Sequence, residues 1–239
     1  SAGTQICGVS TFSGTSGMVM PGGSTAYRGG RGRAVIGGGN TPSDVNTMDY
    51  IEIATTGNAT DFGDLSQLRE QPQAASSSTR GVWTGGKTST STMDYVVISS
   101  EGGASTFGDM VQGVHSGKGV SDGIIGVWWG GKWSGGYSGP SPIQFTIIAS
   151  TGNASEFGAL RSATGGCASP TRGLFMGGQV PGGQSDVIDY VTIATLGDAI
   201  DFGNLTTARA QTDGGSSHTR GFCPGGDTGS VVNIIDYVT

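Results

Sequence analysis

The sequence predicts an all-β chain folded as a single five-bladed β-propeller over residues 1–239, with four strands in each blade. Three sets of landmarks predict it. A glycine pair ends each of the segments Arg33 to Gly39, Arg80 to Gly86, Ile125 to Gly131, Arg172 to Gly178 and Arg220 to Gly226. After each pair comes a second landmark: Asp49-Tyr50, Asp94-Tyr95, Gln144-Phe145, Asp189-Tyr190 or Asp236-Tyr237. A third follows four of these: Phe62-Gly63, Phe107-Gly108, Phe157-Gly158 and Phe202-Gly203. Dividing 239 residues among five copies gives about 48 residues each, a period that belongs to stacked or radial repeat architectures. Propellers are built from four to eight such units.

Each copy resolves into four strands. The first is made of small residues, as in Ala74 to Ser77, Gly165 to Ala168 and Gly214 to Ser217. In a ring of five the innermost strands crowd a narrow axis, and bulky side chains there would overpack it. The second strand, such as Gly81 to Gly85, carries larger apolar residues (Val82, Trp83, Val127, Trp128, Leu174, Phe175, Phe222) that fill the widening wedge between blades. The third begins at the Asp-Tyr pair and runs into β-branched residues such as Val191 to Ile193. The fourth carries the Phe-Gly pair. Between third and fourth lie Thr56-Gly57-Asn58, Gly102-Gly103, Gly152-Asn153 and Gly197-Asp198, which suit hairpin turns with positive φ.

The fifth copy reaches Asp236-Tyr237 without a Phe strand after it, and Ser10-Thr11-Phe12 near the N-terminus matches Ser105-Thr106-Phe107. The expectation is that the N-terminal residues 1–20 pair with the last blade, 218–239, and supply its outer strand, closing the ring.

Composition limits the function. Glycine accounts for 47 residues and charged residues for 13%, yet regular apolar clusters such as Val96-Val97-Ile98 argue that the glycines are positional and not a mark of disorder. A net charge of −6 disfavours nucleic acid, whose binding needs clustered Lys and Arg. No apolar run reaches the roughly 20 residues that span a bilayer, and Ser1 to Gln5 show no signal-peptide pattern, so no membrane insertion is expected. Cys7, Cys167 and Cys223 are too scattered for a zinc motif and read as small hydrophobes.

Differences among the copies predict a contact. Arg33, Arg80, Arg172 and Arg220 share one position, and Asp49, Asp94, Asp189 and Asp236 share another. In the third copy both change together, to Ile125 and Gln144. Joint loss predicts a structural ion pair inside each of the other four blades, because one of two buried charges left alone is costly whereas removal of both can be nearly neutral.

Residues able to do chemistry are sparse. The two histidines, His115 and His218, fall at different offsets within their copies and form no ligand set. No serine sits in a Gly-x-Ser-x-Gly elbow with a plausible His and Asp partner. Asp61, Asp64, Asp198, Asp201 and Asn204 recur near the Phe-Gly turn, where turn chemistry accounts for them more simply than the six to eight oxygens of a calcium site. Neither catalytic residues, metal nor cofactor is expected. The most distinctive segment is the third copy's loop after its glycine pair: Asp94 to Gln144 spans 50 positions where Asp49 to Asp94 spans 45. Lys132, Trp133 and Tyr137 on that loop offer flat apolar faces with polar tips, a candidate surface for a sugar or protein partner.

The order Arg, short apolar strand, Gly-Gly, Asp-Tyr and a later aromatic resembles the kelch repeat over essentially the whole chain, with Phe-Gly where a Trp is usual. The wording of the repeats, as in Thr79-Arg80-Gly81 and Asn58-Ala59-Thr60-Asp61-Phe62-Gly63, is similar to kelch-type repeats in virion structural and tail-associated proteins of marine bacteriophages. That resemblance implies a non-enzymatic component of a phage capsid or tail, partnered by other virion proteins and touching host surface glycans. A stand-alone lectin with one sugar site per blade is the alternative. Copper-radical oxidase chemistry would need several metal-binding His and Tyr residues where the sequence has only two histidines, and sialidase chemistry an Asp-box spacing that it lacks.

Overall fold

The computed structural model describes residues 18–19, 32–86, 90–114, 117–130, 141–161, 163–217 and 219–239. It is all-β, and five antiparallel sheets form a five-bladed β-propeller. The first blade contains β1 (Met18–Val19), β2 (Arg33–Asn40), β3 (Asp44–Glu52) and β4 (Thr60–Asp64). The second contains β5 (Gln73–Ser76), β6 (Arg80–Thr84), β7 (Thr92–Val97) and β8 (Ser105–Asp109). Strands β9 (Lys118–Ser121), β10 (Ile125–Trp129), β11 (Ser141–Ile147) and β12 (Ser155–Leu160) make the third. The fourth is β13 (Gly165–Ala168), β14 (Arg172–Val180), β15 (Gly183–Thr192) and β16 (Ile200–Asn204). Among the described residues the fifth has three strands, β17 (Gly215–Ser216), β18 (Gly221–Pro224) and β19 (Ile235–Val238). The expected N-terminal closing strand lies outside the described residues, apart from Met18–Val19, which pair with Val35 and Ile36 in the first blade.

The inner strands stand side by side around the axis, and every residue of β5, β9, β13 and β17 is buried. A Cβ at Gly119 would sit 2.6 Å from the Ala74 carbonyl oxygen, so the small residues follow from close approach of backbones, as the ring geometry requires. Ser121 and Ser216 hydroxyls donate to the Ser76 and Ala168 carbonyls of the preceding blades, each at 2.6 Å.

Among the described residues the core is divided between blades. Four apolar clusters each fill the wedge between two consecutive blades. Alternation along a strand sends neighbouring side chains to opposite wedges: Trp83 packs with Val35, Met48 and Phe62 of the first blade, while Val82 packs with Trp128 of the third. Trp129 faces the other way and meets Phe175 at 4.4 Å between centroids.

The Phe-Gly pair is a β-bulge. Register shifts at Met48/Asp49, Met93/Asp94, Ile143/Gln144 and Ile188/Asp189, so the Phe of the outer strand has no direct partner and turns into the wedge. There it meets the ring of the third strand edge-on, with centroids 5.9–6.1 Å apart in Tyr95–Phe107, Tyr50–Phe62, Phe145–Phe157 and Tyr190–Phe202.

Candidate functional site

Neither charge of the expected ion pairs lies opposite the other. Antiparallel register sets Arg80 across from Val97 and Asp94 across from Trp83, and the other blades repeat this offset of three residues, about 10 Å of strand. The pairs Arg33–Asp49, Arg80–Asp94, Arg172–Asp189 and Arg220–Asp236 are therefore not formed, and each position has a different role.

The arginines stack on tyrosines. Arg33, Arg80, Arg172 and Arg220 lie over the rings of Tyr50, Tyr95, Tyr190 and Tyr237 at 4.2, 4.7, 4.7 and 4.8 Å. In the third blade Ile125 and Phe145 replace this pair together.

The aspartates clamp the crossover arriving from the preceding blade. Asp94 accepts from the Ser66 hydroxyl (2.6 Å), the Ser66 N–H (3.3 Å) and Arg69 (3.1 Å). Asp236 repeats this with Thr206 and with Arg209 at 2.9 Å, and Asp189 takes Arg161 instead. At the third blade Gln144 replaces the charge, accepting from the Gln112 N–H and donating to its carbonyl, both at 3.0 Å. Asp49 is exposed, and no crossover onto it belongs to the described residues.

These contacts shift ionisation. Burial lowers the Arg69 guanidinium, with Asp94 opposing. Burial pushes Asp236 up, but the Thr206 bonds and Arg209 outweigh it and hold the carboxyl below its ordinary value. Glu52 raises Arg33 through a 2.8 Å hydrogen bond, and Glu101 of the next blade adds a second contact at 3.2 Å. Near the axis Lys118 reaches Asp213 at 3.6 Å past Gly165 of the intervening blade; burial lowers the amine and raises the carboxyl, each opposed by the other's charge.

The acidic residues near the Phe-Gly turns also bind protein. Asp198 accepts from the Ala159 N–H at 2.9 Å, Asn153 from the Asp109 N–H at 3.0 Å, and Asp201 from Arg161 at 2.8 Å. Among the described residues no three His, Cys, Asp or Glu side chains are grouped as metal ligands. Lys132, Trp133 and Tyr137 lie outside the described residues.

Two arginines remain as a candidate interaction site. Arg33 is engaged by glutamates, and Arg80 donates to the Ile148 carbonyl of the next blade at 3.3 Å. Arg172 and Arg220 are exposed on the same face, held flat by their tyrosines, at the rim of a cleft of about 490 Å³ between the fourth and fifth blades. The adjoining turns are fixed: Ser169 accepts from the N–H groups of Thr171 and Arg172, and Ser217 from those of Thr219 and Arg220. The Thr171 and Thr219 side chains are exposed and line the same cleft, with the Thr171 hydroxyl 3.4 Å from that of Ser169. Two oriented cations with hydroxyls can take a carboxylate or sulfate. Compared with protein-family models and with curated proteins, the chain matches none.

Proposed function

We propose that this propeller is a non-enzymatic virion component, displayed on a phage capsid or tail, whose arginine face contacts acidic groups of host surface glycans or of neighbouring virion proteins. The observation that carries the binding part is the pair Arg172 and Arg220, exposed beside Thr171 and Thr219 around one cleft. Guanidinium groups pinned on Tyr190 and Tyr237 keep their N–H edges directed with little rotamer entropy to lose on binding. Recurrent charged groups elsewhere are drawn into joints between blades, which supports a structural role. The virion setting comes from the resemblance of the repeats.

A glycan array carrying carboxylated, sulfated and neutral sugars tests the binding. Retention on acidic sugars that falls at least tenfold in Arg172→Ala/Arg220→Ala supports it. Mass spectrometry of purified particles tests the setting, and glycan binding by a protein never found in particles would favour the free lectin.

A further inference from the structure

We propose that the seam between the third and fourth blades carries a docking site for a short extended segment of another protein, which sets apolar side chains on Ile124, Ile147 and Leu196 and a carboxylate on Arg172. The inference lies beyond the acidic-glycan reading and stands without it.

The site emerges when the seams are compared position by position. Between the first and second blades Arg33 stands opposite Glu52 in register, bonds to it at 2.8 Å and reaches Glu101 at 3.2 Å. Glu101 precedes Gly102, whose N–H donates to the Phe62 carbonyl; Leu196 precedes Gly197, which donates in the same way to Phe157. Ile125 stands opposite Ile147 as Arg33 stands opposite Glu52. An ionic triad at one seam is therefore replaced at the other by Ile125, Ile147 and Leu196. Ile124 adds a fourth apolar residue where the second, fourth and fifth blades have Thr79, Thr171 and Thr219. Among the described residues no other seam has more than one apolar side chain at these positions, Val97 beside Arg80 being the one.

Arg33 is satisfied by its two glutamates, whereas the apolar set is left in water. Ile124 is 64%, Ile147 42% and Leu196 64% exposed, while Ile125 and Ala199 are partly buried against the cluster beneath. The three exposed side chains present roughly 300 Å², the scale at which apolar surface on a monomer marks an interaction site.

Size and charge select the occupant. A stable dimer buries about 800 Å² on each partner, well above this patch, and two copies each carrying a net charge of −6 repel. An anionic membrane surface is disfavoured for the same reason. The flat face of a sugar packs on aromatic rings, and here the exposed groups are aliphatic, with Phe145 partly buried. Aliphatic side chains of a peptide match them. Arg172 supplies the charge. Thr171, Arg172, Thr219 and Arg220 of consecutive blades line one cleft, and by the same repeat Ile124 and Ile125 are followed across their seam by Thr171 and Arg172. The Arg172 guanidinium is exposed and held over Tyr190, ready to take a carboxylate.

Methyl NMR of the full chain, titrated with the peptide acetyl-Ser-Leu-Ser-Ile-Asp-amide, tests the proposal. When extended, that peptide carries its leucine and isoleucine on one side. The Ile124, Ile147 and Leu196 methyl resonances are expected to shift saturably, half-maximally at ~1 mM as suits so small an interface, while those of Ile51 and Ile235, also exposed, stay in place. Leu196→Glu, which puts the charge of Glu101 on an exposed turn and leaves the fold intact, should weaken binding about tenfold. Asparagine in place of the peptide's aspartate should weaken it in the natural sequence but not in Arg172→Ala. Shifts as large at Ile51 and Ile235, or none at the three patch residues, overturn the proposal. So do patch shifts that track protein concentration without peptide, which would make a second copy the occupant.

Discussion

Arg69 Nη2 lies 3.1 Å from Asp94 Oδ2, and both side chains are fully withdrawn from solvent. The arginine stands on the crossover from the first blade and the aspartate on β7 of the second, so one buried pair ties consecutive blades together. Arg69 also donates to the Gly85 carbonyl at 2.7 Å and the Thr92 carbonyl at 2.9 Å. Removing one partner strands a buried charge, at a cost of about 3–5 kcal/mol. Arg69→Met and Asp94→Leu should each destabilise the fold by that order in urea titrations, and the double variant by less than the sum. Arg80→Ala, which loses a half-exposed stack on Tyr95 and one hydrogen bond to the Ile148 carbonyl but strands no buried charge, should cost less, about 1–2 kcal/mol.

That contrast shows how far the sequence could be read. The period, the glycine pairs and the Asp-Tyr and Phe-Gly landmarks identify the blades because each marks a backbone requirement recurring at one place. The joint change to Ile125 and Gln144 did signal contacts, but two independent ones. Arg covaries with the Tyr it stacks on, while Asp covaries with residues four and seven positions after the preceding Phe: Ser66 and Arg69, Thr206 and Arg209, or Arg161. Before Gln144 those positions hold Val111 and Val114. Strand register separates the two, and register depends on bulges that no residue count reveals. The repeated Asn153-Ala154 and Asp198-Ala199 did carry the signal for hairpin side chains that accept from the Asp109 and Ala159 N–H groups of the preceding blade.

Gly108 is the sharpest steric test of seam geometry. Its φ of +156° disfavours a side chain, and a Cβ would press into the Gly152 carbonyl of the next blade. Backbone on both sides leaves nothing flexible to yield. Gly108→Ala should cost about 2 kcal/mol or more in chemical unfolding, within the range of overpacked cores. Gly182→Ala, at a turn with φ +105° and open space around it, bears strain alone and should cost less.

Cys167 and Cys223 are free and buried. Burial, with a smaller contribution from Cys223, pushes the Cys167 thiol up to about 12, and burial raises Cys223 as well. A thiol reagent needs both access and thiolate, and the fold withholds both. At pH 8 the native protein should react with at most one equivalent of reagent, at Cys7, and with three after unfolding in urea. Rapid native labelling at Cys167, located by mass spectrometry, would mean that the wedge between the fourth and fifth blades opens.

Asp236 sets an acid-side dependence. Its carboxyl is held below its ordinary value in the folded chain, so the folded state binds that proton less tightly than the unfolded state. Its contribution is complete above the unfolded pKa of about 3.9 and is lost as pH falls through the folded value. Stability measured by urea titration should therefore drop below about pH 4, and Asp236→Asn should flatten that part of the profile. The variant should also be less stable at neutral pH, because Arg209, fully buried and 2.9 Å away, loses its counter-charge. Adding Arg209→Met to Asp236→Asn should recover part of the loss. An acid limb equally steep with and without the carboxyl would show that Asp236 does not govern how the last blade is held to the fourth.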